Sequence, residues 1–257
     1  MEVEERRESI VALAKHQGRV LVDELAAHFA VTAQTIRKDL NDICDRGLLK
    51  RVHGGAIFPS GVENMEYEAR RQIAAEEKLA IGRAAAALIP NNASLFINIG
   101  TTTEAVSQAL LEHTGLMVIT NNINVANRMR VFPKFEVAIA GGIVRASDGG
   151  VVGEAAVDFI KQFKVDFAVI GTSAIDADGA LLDFDYREVK VAQAIIANAR
   201  NVILVSDSTK FERTAPVRIA HLSQMRSFVT DYCPVPAVRE VCVDSAVQLI
   251  ETTALAR

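Results

Sequence analysis

The chain reads as an α/β protein in two parts: a winged helix-turn-helix, then a mostly parallel α/β domain. Three observations predict this. Residues 1–57 carry three amphipathic helical patterns, separated by tight turns and closed by a short strand-turn. From residue 94 onward, apolar runs of strand length alternate with helical runs, the signature of a parallel sheet. The residues that follow those strands come from one small polar set, Gly, Thr, Asn and Ser.

The first helical pattern, over 6–16, places Ile10, Leu13 and Ala14 at helical spacing and is expected to stop at Gly18. The second, over 22–29 (VDELAAHF), turns Leu25, Ala26 and Phe29 inward. The third follows closely. Thr32 is a good N-cap, and Ile36, Leu40 and Ile43 recur at i, i+4, i+7 as one buried stripe. Thr35 stands where a full capping box would carry Glu, so only half of that motif is present. At 100° per residue, Gln34, Lys38 and Asn41 fall opposite the stripe, flanked by Thr35 and Arg37. Gly47 is placed to end the helix in the left-handed conformation. Two helices joined so tightly fit a helix-turn-helix over about 20–39, with 33–46 as its recognition helix. Downstream, 48–56 (LLKRVHGGA) reads as a wing that lays Lys50, Arg51 and His53 near the backbone of DNA. Thr32, Gln34, Thr35, Arg37, Lys38, Asn41, Lys50, Arg51 and His53 are the predicted DNA contacts, since such groups read base edges and phosphates. On their own these residues also suit an ordinary solvated face; the flanking elements favour DNA. No residue of ligand type stands at metal spacing from His53, so no metal is expected.

The length of 257 residues allows two domains and a sizeable core. No apolar run approaches a membrane span, and the charged start MEVEERRES has no signal-peptide core. Cys44, Cys233 and Cys242 are far apart with no CxxC, which predicts a reduced, cytoplasmic protein. Net charge is −4, but residues 1–56 hold nine Lys/Arg against nine Asp/Glu, so the basic balance is only local. From residue 37 to 51 there are five basic groups against Asp39, Asp42 and Asp45. Moderate affinity per module, made useful by oligomerisation, is the expectation.

A Pro/Gly/Ser hinge at 58–64 (FPSGVEN) precedes one long helical pattern over 65–89 that ends at Pro90. The domains are therefore drawn as 1–57, a linker and connecting helix over 58–75, and 76–257. Strands are then expected at 95–99, 116–120, 135–140, 165–171, 202–205 and 227–231, with helices to about 112 and 130, at 154–163 and at 186–199. After the strand at 227–231, a helix and a short closing strand fill 237–253.

In an open parallel sheet the carboxyl ends of the strands share one edge, where ligands bind. Gly100, Thr101 and Thr102 offer backbone N–H groups at a helix start plus hydroxyls, a fit for a phosphate dianion. Asn98, Thr120, Asn121 and Asn122 add polar side chains at neighbouring strand ends, and Gly141 and Gly142 permit close backbone approach. Lys210 supplies a mobile positive charge. Asp183, Asp185 and Glu188 can accept hydrogen bonds from sugar or polyol hydroxyls. There is neither a GxGxxG fingerprint nor a P-loop, so no cofactor is expected.

The run TIRKDLNDICDRGLLKRVHGGA resembles the winged helix-turn-helix of the DeoR family of bacterial repressors. NIGTTTEAV, TNNINVAN, AGGIVR, DGALLDFDYREVKVAQAI and DSTKF resemble that family's sugar-phosphate-sensing domain, itself similar to sugar-phosphate isomerases. The resemblance covers nearly the whole chain. It implies a repressor, tetrameric as a rule, that binds double-stranded operator DNA and is released by a small phosphorylated effector. The stretches INIGTTTEAV, SDGGVVGEAAVDFI and LLDFDYREV narrow the expectation to genes of glycerol metabolism and to sn-glycerol 3-phosphate. Four positions depart from the family pattern. Asn98 replaces a usual Asp, Leu21 a capping Ser/Thr, Ala174 a common Gly, and Glu212 a common Gly beside the proposed phosphate site. The loss of the cap at Leu21 is worth roughly 1 kcal/mol. Two alternatives are a regulator answering to another sugar phosphate and an isomerase-like enzyme with an appended DNA module. In the latter, Glu188 would be the base. A purely structural DNA-bridging protein would leave the polar strand ends unexplained.

Overall fold

The computed structural model describes residues 3–17, 19–57 and 67–255. The chain divides into two compact units, Met1–Ile73 and Ala74–Arg257. In chain order the first contains α1 (Val3–Gln17), β1 (Arg19–Leu21), α2 (Val22–Phe29), α3 (Ala33–Asp45), β2 (Lys50–Val52), β3 (Gly55–Ile57) and α4 (Tyr67–Gln72). Ile10 and Ala14 of α1, Leu25 of α2, and Ile36, Leu40 and Ile43 of α3 meet in one core, closed by Val20, Leu49 and Ala56. The helical stripe read from the sequence is thus the buried one.

Strand β1 is too short to leave a periodic signal, and it was not expected. It pairs antiparallel with β3 to give a three-stranded sheet in the order β1-β3-β2. The pairing explains two residues. A Cβ on Gly55 would lie 2.0 Å from the Val20 carbonyl oxygen, so only glycine lets the wing approach β1. Leu21 caps α2 with no side-chain bond, but the Val22 N–H donates to the Gly54 carbonyl at 2.9 Å. The sheet thereby satisfies one backbone donor of a helix start that lacks its hydroxyl cap.

The expected stop at Gly18 and the hinge at 58–64 lie outside the described residues. The single helix expected over 65–89 is two: α4, and α5 (Ala75–Ala86). Ala74, at φ 51° and ψ 42°, breaks them. A left-handed non-glycine residue costs about 1–2 kcal/mol, and a run of good helix formers gives no sign of it.

The second unit continues from α5 with β4 (Ser94–Ile97), α6 (Thr101–Ala109), β5 (Leu116–Thr120), α7 (Ile123–Met129) and β6 (Phe135–Ile139). A hairpin of β7 (Ile143–Val144) and β8 (Val151–Val152) precedes α8 (Glu154–Ile160), β9 (Val165–Ile170), β10 (Ala174–Ile175) and β11 (Ala180–Asp183). Then come α9 (Tyr186–Ala197), β12 (Ala199–Val205), β13 (Val217–His221), β14 (Ser227–Thr230), α10 (Pro236–Asp244), β15 (Gln248–Glu251) and α11 (Thr252–Leu255). Seven strands form a wholly parallel sheet in the order β15-β14-β12-β9-β4-β5-β6. Along β4, Phe96 enters one core and Leu95 and Ile97 the other, so the sheet is covered on both faces. β10, β11 and β13 form a small antiparallel sheet that periodicity did not reveal. Among the described residues no helix is long and apolar enough to cross a membrane.

Candidate functional site

The exposed face of α3 is built from its two ends inward. Thr32 caps it, its hydroxyl accepting from the Thr35 N–H at 3.2 Å and bonded to the Thr35 hydroxyl at 2.9 Å. At the other end, Gly47 is left-handed (φ 71°), with its N–H on the Cys44 carbonyl and the Leu48 N–H on the Ile43 carbonyl. Those paired bonds close the helix as a Schellman turn. Between the caps Gln34, Arg37, Lys38 and Asn41 are exposed and Thr35 half-buried; Lys50, Arg51 and His53 are exposed on the wing. The two-residue turn His53-Gly54 joins β2 to β3. No group of three or more His, Cys, Asp or Glu among the described residues is placed to hold a metal.

Sequence reading missed what fixes the tilt of α3. Asp39, on its inner side and 2% exposed, accepts from Arg6 at 2.7 Å and from Arg7 at 3.2 Å, both on α1. Arg7 also reaches Asp42 at 2.8 Å, and Arg46 pairs with Glu4 at 2.6 Å. An Asp following Lys38 reads as surface; only the arginines in α1 hint at a buried partner.

In the seven-stranded sheet all neighbours run parallel, so the segments after β4, β5, β6, β9 and β12 share one edge. From β4 the chain moves out through β5 and β6, then returns to β9 on β4's other side. Such a reversal marks where open α/β sheets bind ligands, here at the carboxyl ends of β4 and β9. Gly100, with φ 146°, caps α6 in a conformation that L side chains rarely adopt. The Thr103 hydroxyl, fully buried, is bonded to the Asn98 carbonyl at 2.7 Å and braces the turn. Thr101 is half-buried and Thr102 buried.

The register Ile97↔Thr120 sets Asn98 beside Asn121 one residue further on. Both are buried, and the side-chain Oδ1 of each has no hydrogen-bond partner among the described residues. The other amide arm of Asn121 donates to the Val151 carbonyl at 3.1 Å. An unpaired buried acceptor costs about 1–3 kcal/mol, so these two atoms are the ones at this edge that a donor from a ligand or a water would satisfy.

Other predicted side chains work within the protein. The Thr120 hydroxyl donates to the Ile97 carbonyl at 2.6 Å, and Asn122 caps α7 while donating to Glu104 at 3.1 Å. These brace the edge from behind. A Cβ on Gly142 would meet the Val152 carbonyl at 3.0 Å, so its close approach is to the chain's own hairpin; Gly141 has open space. Asp183 receives the Ser173 hydroxyl at 2.9 Å and the Phe184 N–H at 2.6 Å. Glu188 meets Arg145 at 2.5 Å, and Arg145 also holds Asp148 and Asp185. Burial and the neighbouring Asp183 push the Glu188 carboxyl up to about 8, against the pull of Arg145. Arg145, from AGGIVR, is the member of this cluster that residue-by-residue reading passed over.

Lys210 is buried on the turn after β12, whereas Glu212, two residues on, is exposed. Burial raises the pKa of nearby Asp207, but the ammonium groups of Lys210 and Lys78 outweigh it and hold the carboxyl below its ordinary range. The arrangement therefore joins a glycine-capped helix start, two unanswered amide oxygens and a buried lysine along one sheet edge.

Two family models match the chain: a DeoR-like helix-turn-helix domain over residues 6–62 and a DeoR C terminal sensor domain over 73–232. The glycerol-3-phosphate regulon repressor of Escherichia coli (strain K12) is 47% identical over 249 residues, covering 97% of this chain and 99% of that one. The HTH-type transcriptional repressor CsqR of the same organism is 39% identical, covering 95% and 94%. Among solved structures, ribose 5 phosphate isomerase A from Neisseria gonorrhoeae matches with a TM-score of 0.39 at 10% identity, covering 53% of each chain.

Proposed function

The chain belongs to the DeoR family, and from that premise we propose that sn-glycerol 3-phosphate, bound at the sheet edge, releases it from operators of glycerol-metabolism genes. It is a helix-turn-helix transcriptional repressor, as its relatives are, and not an enzyme. Operator DNA is read by α3, with Gln34, Arg37, Lys38 and Asn41 toward the major groove and Lys50, Arg51 and His53 of the wing on phosphates. It works in the cytoplasm as an oligomer, a tetramer, on repeated half-sites.

One observation carries the choice of effector class. The edge combines N–H groups at the start of α6, which suit an anion, with the two buried Oδ1 acceptors of Asn98 and Asn121. A phosphate brings acceptors only, while a polyol brings hydroxyl donors; a phosphorylated polyol satisfies both halves. A different phosphorylated polyol or sugar is the second reading, favoured by the 39% identity to a differently named repressor at almost the same coverage.

The test is a titration of the operator complex with sn-glycerol 3-phosphate, glycerol, and phosphorylated compounds of three to six carbons. Glycerol 3-phosphate is expected to lower operator affinity 5- to 150-fold, and glycerol to be inert. Thr101→Val keeps the β-branched shape and removes the hydroxyl, so DNA binding should persist while release is blunted. Equal release by glycerol, or an unaltered response of Thr101→Val, overturns the proposal.

A further inference from the structure

Asn98 and Asn121 are 2% and 0% exposed, so a ligand that meets their Oδ1 atoms must pass a part of the protein that moves. The hairpin of β7 and β8 is placed to be that part. It leaves β6 through Gly141 and Gly142. Its inner strand is bonded to Asn121 after β5: the Val151 N–H donates to the Asn121 carbonyl at 2.7 Å, and the Asn121 amide to the Val151 carbonyl at 3.1 Å. A Cβ on Gly150 would lie 2.4 Å from Ile99 Cδ1, just after β4. From the tip, Arg145 reaches Glu188 at 2.5 Å and Asp185 at 3.4 Å, where α9 begins. Asp183, two residues before Asp185, accepts from Ser173 in the segment after β9. The hairpin therefore crosses the ends of four neighbouring strands, β6, β5, β4 and β9.

Its two strands are held differently. Val151 and Val152 of β8 are buried. Ile143 and Val144 of β7 are 64% and 51% exposed, and Ala146 and Ser147 are exposed as well. Successive residues of a strand point to opposite faces, so β7 is uncovered on both. With no apolar side chain of its own buried, the stretch 143–148 depends on polar contacts. It has the ladder to β8, the Gly149 N–H on the Arg145 carbonyl at 2.9 Å and the Asn124 amide on the Asp148 carbonyl at 3.2 Å. The Arg145 guanidinium supplies the tie to α9, while holding Asp148 within the tip at 2.6 and 2.9 Å.

Gly142 and Gly149 bound the stretch at φ 147° and 74°, values that L side chains rarely adopt. A segment without a buried apolar face, held by hydrogen bonds and bounded by glycines, belongs to the low-stability end of a fold. Opening it strands little charge. Asp148 travels with Arg145 as its counter-ion, and Asp185 keeps Arg187 at 2.9 Å.

We propose that residues 143–148 form a strap over the effector edge, latched to α9 by Arg145, and that the effector enters and leaves when this latch releases. This rests on the reading of the edge as the effector site, and adds how a ligand reaches acceptors that the closed fold hides.

The test follows sn-glycerol 3-phosphate binding to the full chain by stopped flow, with operator affinity measured separately. Arg145→Gln should raise the association and dissociation rate constants about 10-fold each, the worth of one charge-assisted hydrogen bond, and leave operator affinity without effector within about threefold of the parent's. Arg145→Lys, which restores the charge, should bring both rates back toward the parent's. A damaged site loses its ligand faster but does not load faster, so the association rate separates a latch from a merely structural arginine. Association in Arg145→Gln no faster than the parent's overturns the strap. Should that variant not fold, hydrogen exchange on the parent decides. If the tip must open for the effector to leave, the amides of Arg145 and Gly149 should exchange about 100-fold slower at about 100 times the effector's Kd, and unchanged rates overturn the strap. A parent that binds neither sn-glycerol 3-phosphate nor any other phosphorylated compound of three to six carbons overturns the effector-site reading and the strap with it. Binding without these changes in rate overturns the strap alone.

Discussion

Asp39→Asn isolates the force that orients α3. The substitution keeps the side chain's size and removes its charge, leaving Arg6 buried at 8% exposure without the carboxylate it meets at 2.7 Å. Breaking one side of a buried ion pair costs about 3–5 kcal/mol, because a desolvated charge is left behind. Arg7 keeps Asp42 at 2.8 Å and Glu4 at 3.4 Å, so the lower end, about 3 kcal/mol, applies. That corresponds to an opening equilibrium about 150-fold more populated. Hydrogen exchange of the amides over 33–45, in the native full-length chain, reads this directly. Replacing both partners, Arg6→Met with Asp39→Leu, strands no charge and should restore slow exchange to within about tenfold of the parent. Exchange in Asp39→Asn within threefold of the parent would refute the assignment of α3's anchor to this pair.

Three further predictions concern the wing, the carboxylate cluster and the DNA-facing charges. Gly55→Ala must push β3 from β1, since its Cβ would lie 2.0 Å from the Val20 carbonyl oxygen; a loss of about 2–3 kcal/mol in urea unfolding is expected, together with weaker operator binding. Glu188 holds its proton to about pH 8 in the fold, against an ordinary value of 4.5. The unfolded chain therefore releases this proton first, and stability should decline from about pH 5 to pH 8; urea midpoints of Glu188→Gln across that range should lack this component, and parallel profiles would count against it. Each of Arg37→Ala and Lys38→Ala should flatten the slope of log affinity against log salt by about 0.9 if it removes one phosphate contact. A guanine contact would instead cost about 1–3 kcal/mol at one base pair only. Unaltered operator binding by both variants would refute the placement of α3.

What could be read without coordinates followed from periodicity and from strong local chemistry. Ile36, Leu40 and Ile43 mark α3 because burial forces their spacing, and Thr32 and Gly47 mark its ends because backbone groups there need partners. The polar ends of β4, β5 and β9 pointed to a shared edge because a parallel sheet leaves no other place for them. Features created by long-range pairing were illegible. Strand β1 exists through its ladder with β3, and Asp39 is buried because α1 offers it two arginines. The internal hydrogen bonds of Thr120 and Asn122 were illegible for the same reason. A polar residue at a strand end has the same appearance whether it faces a ligand or, like Asn122, binds Glu104 from within.

The charge balance of the DNA unit shows how far such pairing changes a conclusion. Counted along the chain, residues 1–56 are neutral, which argues for weak attraction to a polyanion. In the fold several of the acids are paired. Asp39 is turned inward to Arg6 and Arg7, Asp42 lies against Arg7, and Glu4 pairs with Arg46 at the surface. The exposed side of α3 and the wing keep Arg37, Lys38, Lys50 and Arg51. If all four contact phosphate, the expected salt slope is about −3.6 per unit. Asp39 and Asp42 thus spend their charge on α1 and hold the helix that carries the DNA-facing cations. On the operator-binding reading, attraction to DNA is set by this local face and not by the neutral total.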